Sequence, residues 1–202
     1  EVAQIGMEMK RIGPAIRGTH VHIDIGIAVG DIDVEEAHDI LSLGLPNPRR
    51  VAEAVHEELN RAGYAVGCVH PDDDLTGVSM YIIPHWASFD PAWVPGLQAF
   101  VEQGGVLVIG ARTASKDMDN NVIGGTAPGC LSELAGVSVV EYGRQNNSEQ
   151  RPLHLTDGVN SAKTDLWYEV LSPGTASTLA TWNSRHLTGQ PAVSRRRLGK
   201  GT

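Results

Sequence analysis

At 202 residues the chain is long enough to bury a full core as one domain, and its 41% hydrophobic content includes no apolar run near the roughly 20 residues that cross a bilayer, which argues against a helical membrane protein. A formal net charge of -8 argues against general affinity for nucleic acid, because phosphate binding needs a basic face that releases counterions. The two cysteines, Cys68 and Cys130, form neither a CxxC pair nor a metal-ligand spacing, which fits a reducing cytoplasm.

The chain opens at Glu1 without a signal-peptide pattern and reads as a piece of a longer protein. Val2, Ile5, Met9 and Ile12 share one helical face that Gly13-Pro14 stops, so the first residues resemble a connecting helix. Val21, Ile23, Ile25, Ile27 and Val29 then alternate with His22, Asp24, Gly26 and Ala28 as a first strand. The segment 30–45 receives no assignment. Asn47 is a helix cap with Pro48 at the first position, and Val51, Val55, Leu59 and Ala62 form an apolar stripe ending at Gly63. Arg49 with Glu53, and Glu57 with Arg61, are spaced as pairs on its wet face.

Tyr64 to Val69 reads as a second strand, and Val78 to Ile83 as a third ending at Pro84, with the acidic turn Pro71 to Asp74 between them. Asp90 caps a helix with Pro91 at its start; Val94, Leu97 and Val101 bury it, and Gly104 and Gly105 end it. Val106 to Ile109 is a continuous apolar run too short for a helix, and it reads as a strand buried on both faces. This alternation predicts an α/β fold with a mainly parallel, doubly wound sheet. Past Val137 the pattern changes. Val137 to Tyr142, Arg151 to Leu155, Leu166 to Leu171, Thr175 to Trp182 and Pro191 to Arg195 are short strand candidates, parted by turn-rich stretches such as Gln145 to Ser148, and predict an antiparallel C-terminal extension.

Open α/β sheets bind ligands beyond the carboxyl ends of their strands, here the loops after Val29, Val69, Ile83 and Ile109. A nucleophile elbow needs Gly-x-Ser/Cys-x-Gly, whereas the fourth strand runs into Gly110-Ala111-Arg112-Thr113-Ala114. Gly30-Asp31-Ile32-Asp33 is not a dinucleotide loop, and its carboxylates would repel a pyrophosphate. Cys130 reads as an inert thiol, and Lys116 to Asn121 (KDMDNN) as side chains bonding their own turn rather than a calcium loop. The eight histidines are scattered, the capping role explains Asp90 beside His85, Trp86 and Ser88, and Arg195 to Arg197 reads as a solvated strand end. No catalytic group, cofactor or metal is expected.

Three segments in order, DDDLTGVSMYIIPHWASFDPAWVPGLQAFVEQGGVLVIG, RTASKDMDNNVIGGTAPGCLSELAGVSVVEY and PAVSRRRLGKG, resemble the middle, trimerisation domain of glycoside hydrolase family 42 β-galactosidases. The resemblance implies a flavodoxin-like domain, similar to the class I glutamine amidotransferase-like superfamily but lacking its nucleophile, that packs subunits into a homotrimer. It places the catalytic glutamates in an upstream barrel, so none falls in this chain. EVAQIGMEMKRIGPAI looks like the linker after that barrel, giving residues 1–17 as linker helix and 18–202 as the domain. The loop DIDVEEAHDILSLGL departs from the tryptophan-bearing loop usual in the family, and a final strand would be expected after Thr202. The expected subunit-contact surfaces are the first helix and the loop from Arg112 to Thr126, with Arg112, Lys116, Asp117, Asp119, Asn120 and Asn121 as candidates, since a long loop in a compact domain is seldom idle. The alternative is a small-molecule-binding or regulatory flavodoxin-like domain.

Overall fold

The computed structural model describes residues 1–40, 42–145, 151–156 and 161–202; the expected turn at 146–148 lies outside them. Four short strands, β1 (Ile25–Ala28), β2 (Val66–Val69), β3 (Met80–Ile83) and β4 (Val106–Ile109), form a parallel sheet in the order β2-β1-β3-β4. Ile25 stands opposite both Val66 and Met80, and Met80 opposite Val106, so the four strands finish nearly level. That alignment brings their outgoing loops to one end of the sheet.

Helix α1 (Val2–Ile16) continues three residues beyond Gly13, where the sequence predicts a stop. Pro14 removes one hydrogen bond, but the Arg17 N–H still reaches the Gly13 carbonyl before the backbone extends. No residue of α1 is buried. The first strand is shorter than its alternation suggests: Val21 is 86% exposed, and the ladder begins only at Ile25, where β2 and β3 begin. Helix α2 (Ile32–Ile40), which the sequence left unassigned, follows, and α3 (Pro48–Arg61) starts as expected, with the Arg49 N–H donating to Asn47 Oδ1 at 3.0 Å. Arg49 pairs with Glu35 of α2 at 3.1 Å instead of with Glu53, which ties the two helices together, while Arg61 pairs with Glu57 as spaced.

Asp90 caps the next helix through Ala92 N–H at 2.8 Å; a 3-10 turn, Pro91–Trp93, leads into α4 (Val94–Gln103). Leu97 and Val101 of α4 are buried, and Leu97 joins Ile83, Trp86, Phe89 and Leu131 in the main core. The rings of Trp86, Phe89 and Trp93 meet edge to face at 5.0 and 5.8 Å, contacts of about 0.5–1.5 kcal/mol each beyond their burial. The expectation that β4 is buried on both faces fails, for none of its residues is fully buried and Val108 is 40% exposed: β4, like β2, stands at an edge of the sheet, flanked by one other named strand. On its free side it meets the chain terminus, where Thr202 N–H donates to the Gly105 carbonyl and Leu107 N–H to the Thr202 carbonyl.

After α5 (Ser132–Ala135) the chain becomes antiparallel. β5 (Val137–Arg144) pairs with β8 (Trp167–Pro173), and β10 (Pro191–Arg195), β9 (Ser177–Trp182), β6 (Arg151–Leu155) and β7 (Ser161–Thr164) form a four-stranded sheet in that order. All five expected strands appear within two residues of their predicted bounds, Val137–Tyr142 extending to Arg144, and β7 is an addition to them. A second core of Val170, Trp182 and Leu187 sits under this region.

Candidate functional site

The outgoing ends of the parallel strands hold a concentration of polar side chains. After β1, Asp31 accepts N–H bonds from Asp33 and Val34 through Oδ1, starting α2, while its Oδ2 lies 3.2 Å from Nε2 of His70, which follows β2. His70 packs edge-on against Trp93 at 5.0 Å and near Trp86 at 5.7 Å. After β3, His85 bonds the Ala111 carbonyl through Nδ1 at 3.0 Å and meets the ring of His38 from α2 at 4.9 Å, edge to face. Burial pushes His85 down to about 4 and lowers His38 as well.

The loop after β4 begins at Gly110, where any side chain would collide with the Pro84 carbonyl, so the exits of β3 and β4 lie in close contact. Two residues on, Arg112 has φ 62 and Ala114 φ 55, left-handed values that non-glycine residues seldom adopt. The turn therefore carries strain of the kind found in an elbow, but with a guanidinium where a nucleophile would need a thiol or hydroxyl. The Arg112 N–H donates to Glu169 Oε1 at 2.9 Å, and the same oxygen accepts from Trp167 Nε1 at 3.1 Å. The guanidinium lies over the Trp167 ring at 5.5 Å, and Tyr142 stacks on Trp167 at 5.4 Å. Burial raises the Glu169 carboxyl and lowers Arg112.

The six residues proposed from sequence separate into two groups. Arg112 and Lys116 are buried by this chain's own residues; Lys116 Nζ donates to Asn120 Oδ1 at 2.6 Å, and burial lowers its ammonium. Asp119 and Asn121 are exposed, and Asp117 and Asn120 half-buried, on a hairpin-like tip. Asp117 builds that tip: Oδ1 accepts from the N–H groups of Asp119 and Asn121, and Oδ2 from Asn121 Nδ2, which is the self-bonded turn expected for KDMDNN. The Ile123 N–H donates to the Ser115 carbonyl and closes the hairpin, while Lys116 N–H donates to the Ala87 carbonyl and Phe89 N–H to the Lys116 carbonyl, holding it against the loop after β3. Its outward apolar residues are Met118, 40% exposed, and Val122, 71% exposed, which sequence reasoning passed over.

Cys130 sits in a 3-10 turn, Gly129–Leu131, and desolvation of its inner side together with the Asp90 charge pushes the thiol up, away from reactivity. Among the described residues no three His, Cys, Asp or Glu side chains gather as metal ligands. Arg196 donates to the Glu133 and Leu134 carbonyls at the end of α5, a structural use of the basic cluster. A groove of about 590 Å³ runs between β4 and the antiparallel strands, walled largely by apolar residues such as Leu107, Ile109, Leu171 and Leu179, with Arg112 and Glu169 among its few charged residues.

Comparison with known proteins gives a consistent result. A family model described as the β-galactosidase trimerisation domain matches residues 33–202. Over its whole length the chain is 27% identical to the β-galactosidase BgaB of Geobacillus sp. (strain Y412MC61), of which it covers 30%. It is 30% identical to the β-galactosidase BgaA of Clostridium cellulovorans over 74% of this chain and 22% of that protein. Among solved structures, a β-galactosidase from Bacillus circulans sp. alkalophilus superposes on 98% of this chain and 30% of its own with a TM-score of 0.84, at 20% identity. The chain thus spans under a third of the length of these relatives.

Proposed function

Because the chain belongs, through residues 33–202, to the family of β-galactosidase trimerisation domains, we propose that it is the noncatalytic part of a longer glycosidase and holds three copies of that protein together. The parent hydrolyses terminal β-galactosides, a reading supported by the β-galactosidases that the chain resembles along its whole length. Residues 1–17 link it to an upstream catalytic barrel and residues 18–202 form the assembling domain. The exposed apolar face of α1 (Val2, Ile5, Met9) suits a helix whose partner lies elsewhere in the whole protein. The strand order β2-β1-β3-β4 supports a flavodoxin-like, doubly wound relationship, since it is the flavodoxin order up to the fourth strand, and with it a place near the amidotransferase-like superfamily. The arginine at the strained turn after β4 fits a member without a nucleophile. The proposal includes a cytoplasmic location, which two free cysteines suit, and no nucleic-acid partner, which the net charge of -8 supports.

The observation that carries a structural role is the ordered hairpin at 115–123, whose backbone is fixed by Asp117 while Met118 and Val122 point outward. Asp119 and Asn121 lie at its tip and make the polar rim of the contact, whereas Arg112 and Lys116 act from beneath by holding the loop's shape. Sedimentation of the whole protein with Met118→Lys and Val122→Lys tests this. Dissociation to smaller species with the fold retained is expected, and an unchanged three-copy mass would remove the hairpin from the interface.

A further inference from the structure

Helix α2 is fastened to the body by little apolar surface, for among its nine residues only Val34 and His38 are buried. Asp31 caps its start, Asn47 Nδ2 donates to the Glu35 carbonyl, and the Arg49–Glu35 pair joins it to α3. The remaining attachment is an imidazole pair, His38 against His85, 4.9 Å apart at 82°. Each ring gives one N–H to a backbone carbonyl, His38 Nε2 to Leu45 and His85 Nδ1 to Ala111, because a carbonyl can only accept. That fixes both tautomers. The opposite nitrogens, His38 Nδ1 and His85 Nε2, carry lone pairs and are buried with no hydrogen-bond partner among the described residues.

We propose that the His38–His85 contact is an acid-sensitive latch that keeps α2 over the carboxyl end of the sheet while both rings are neutral and releases the helix when they take up protons. The charged groups around the pair decide the sign. The loop after β4 brings Arg112 and Lys116, both positive and both buried, and each disfavours a proton on His38. Arg112 and His38 do the same for His85. On α2 itself Asp39 favours a charged His38 while its Oδ1 accepts from Asn47 Nδ2, and Glu35 pairs with Arg49 through Oε2, its Oε1 being buried without a hydrogen-bond partner among the described residues. Protonated rings would therefore face each other and two further cations, with Asp39 as the neighbouring acid that favours them. Swinging α2 away removes the repulsion and gives both imidazoles water. The latch belongs to the fold of a single copy and does not rest on how copies assemble.

The test is hydrogen exchange of amides 33–40, corrected for intrinsic rates, in the 202-residue chain at pH 7 and pH 5, with histidine ring titration followed by NMR in the same samples. Expected are at least tenfold faster α2 exchange at pH 5 while β1 and β3 amides stay protected, His38 titrating below 6.5, and α2 shifts that follow its titration. The double variant His38→Gln, His85→Gln should lose the pH response; if it does not fold, His38→Asn alone should reduce it. The proposal is overturned by α2 and β1 opening together at pH 5, by His38 titrating at or above 6.5, or by a folded variant with the wild-type response.

Discussion

The backbone N–H of Arg112 donates to Oε1 of Glu169 at 2.9 Å, and this bond joins the loop that ends the parallel sheet to β8 of the antiparallel region, 57 residues along the chain. Glu169→Ala would leave that N–H and Trp167 Nε1–H without their acceptor and remove the negative charge nearest the Arg112 guanidinium. Loss of the acceptor from such a part-buried network costs about 1–3 kcal/mol. Urea unfolding of the variant measures it, and Glu169→Gln, which keeps an acceptor oxygen, should lose less. A Glu169→Ala change within 0.5 kcal/mol of wild type, on the order of a surface substitution, would contradict the role given to this carboxylate.

Stability should fall with acid below neutrality. His85 is held down at about 4 against an ordinary 6.5, so between these values the unfolded chain binds more protons than the folded one, and lowering the pH favours unfolding. The stabilisation is fully present above pH 6.5 and lost on the way to 4, amounting to roughly 3 kcal/mol at the lower end. Urea midpoints of wild type and His85→Gln at pH 7 and 5 check this; a midpoint difference between the two proteins that does not change with pH would contradict it.

Gly110→Ala should destabilise the fold although the added group is a single methyl. Its β-carbon would meet the Pro84 carbonyl, a backbone atom that cannot rotate away. Overpacking of this kind costs about 1–3 kcal/mol or more, read as a lowered thermal midpoint. An unaltered midpoint would mean that the β3 and β4 exits separate freely.

In the hairpin, Asp117→Ala and Met118→Lys should act differently. Asp117 accepts three hydrogen bonds that shape the turn, so its loss should speed exchange at 117–121 even in a single copy. Met118→Lys should leave that exchange alone and alter only assembly. Equal effects of the two on single-copy exchange would contradict the division between framework and contact surface.

What could be read from the sequence was local. Asn47-Pro48 and Asp90-Pro91 mark their helix starts because cap and proline act within one turn. Val106 to Ile109 announces a strand by its unbroken apolar run, yet the exposure of Val108 depends on β4 standing outermost in the strand order, which no local pattern records. Helix α2 escaped notice because one aliphatic, Val34, and one histidine, His38, make its entire buried face. Its signals were the cap Asp31, the acids Asp33 and Glu35 in the first turn and His38 in the last. The contacts that organise the site join residues far apart in sequence, Asp31 with His70, His38 with His85 and Arg112 with Glu169, and only the folded sheet brings them together.

Light scattering of the 202-residue chain across a concentration series tests the assembly role most directly. The account predicts a mass that rises with concentration to three times the 21.6 kDa of one chain and goes no further. A mass of one chain at every concentration would contradict it.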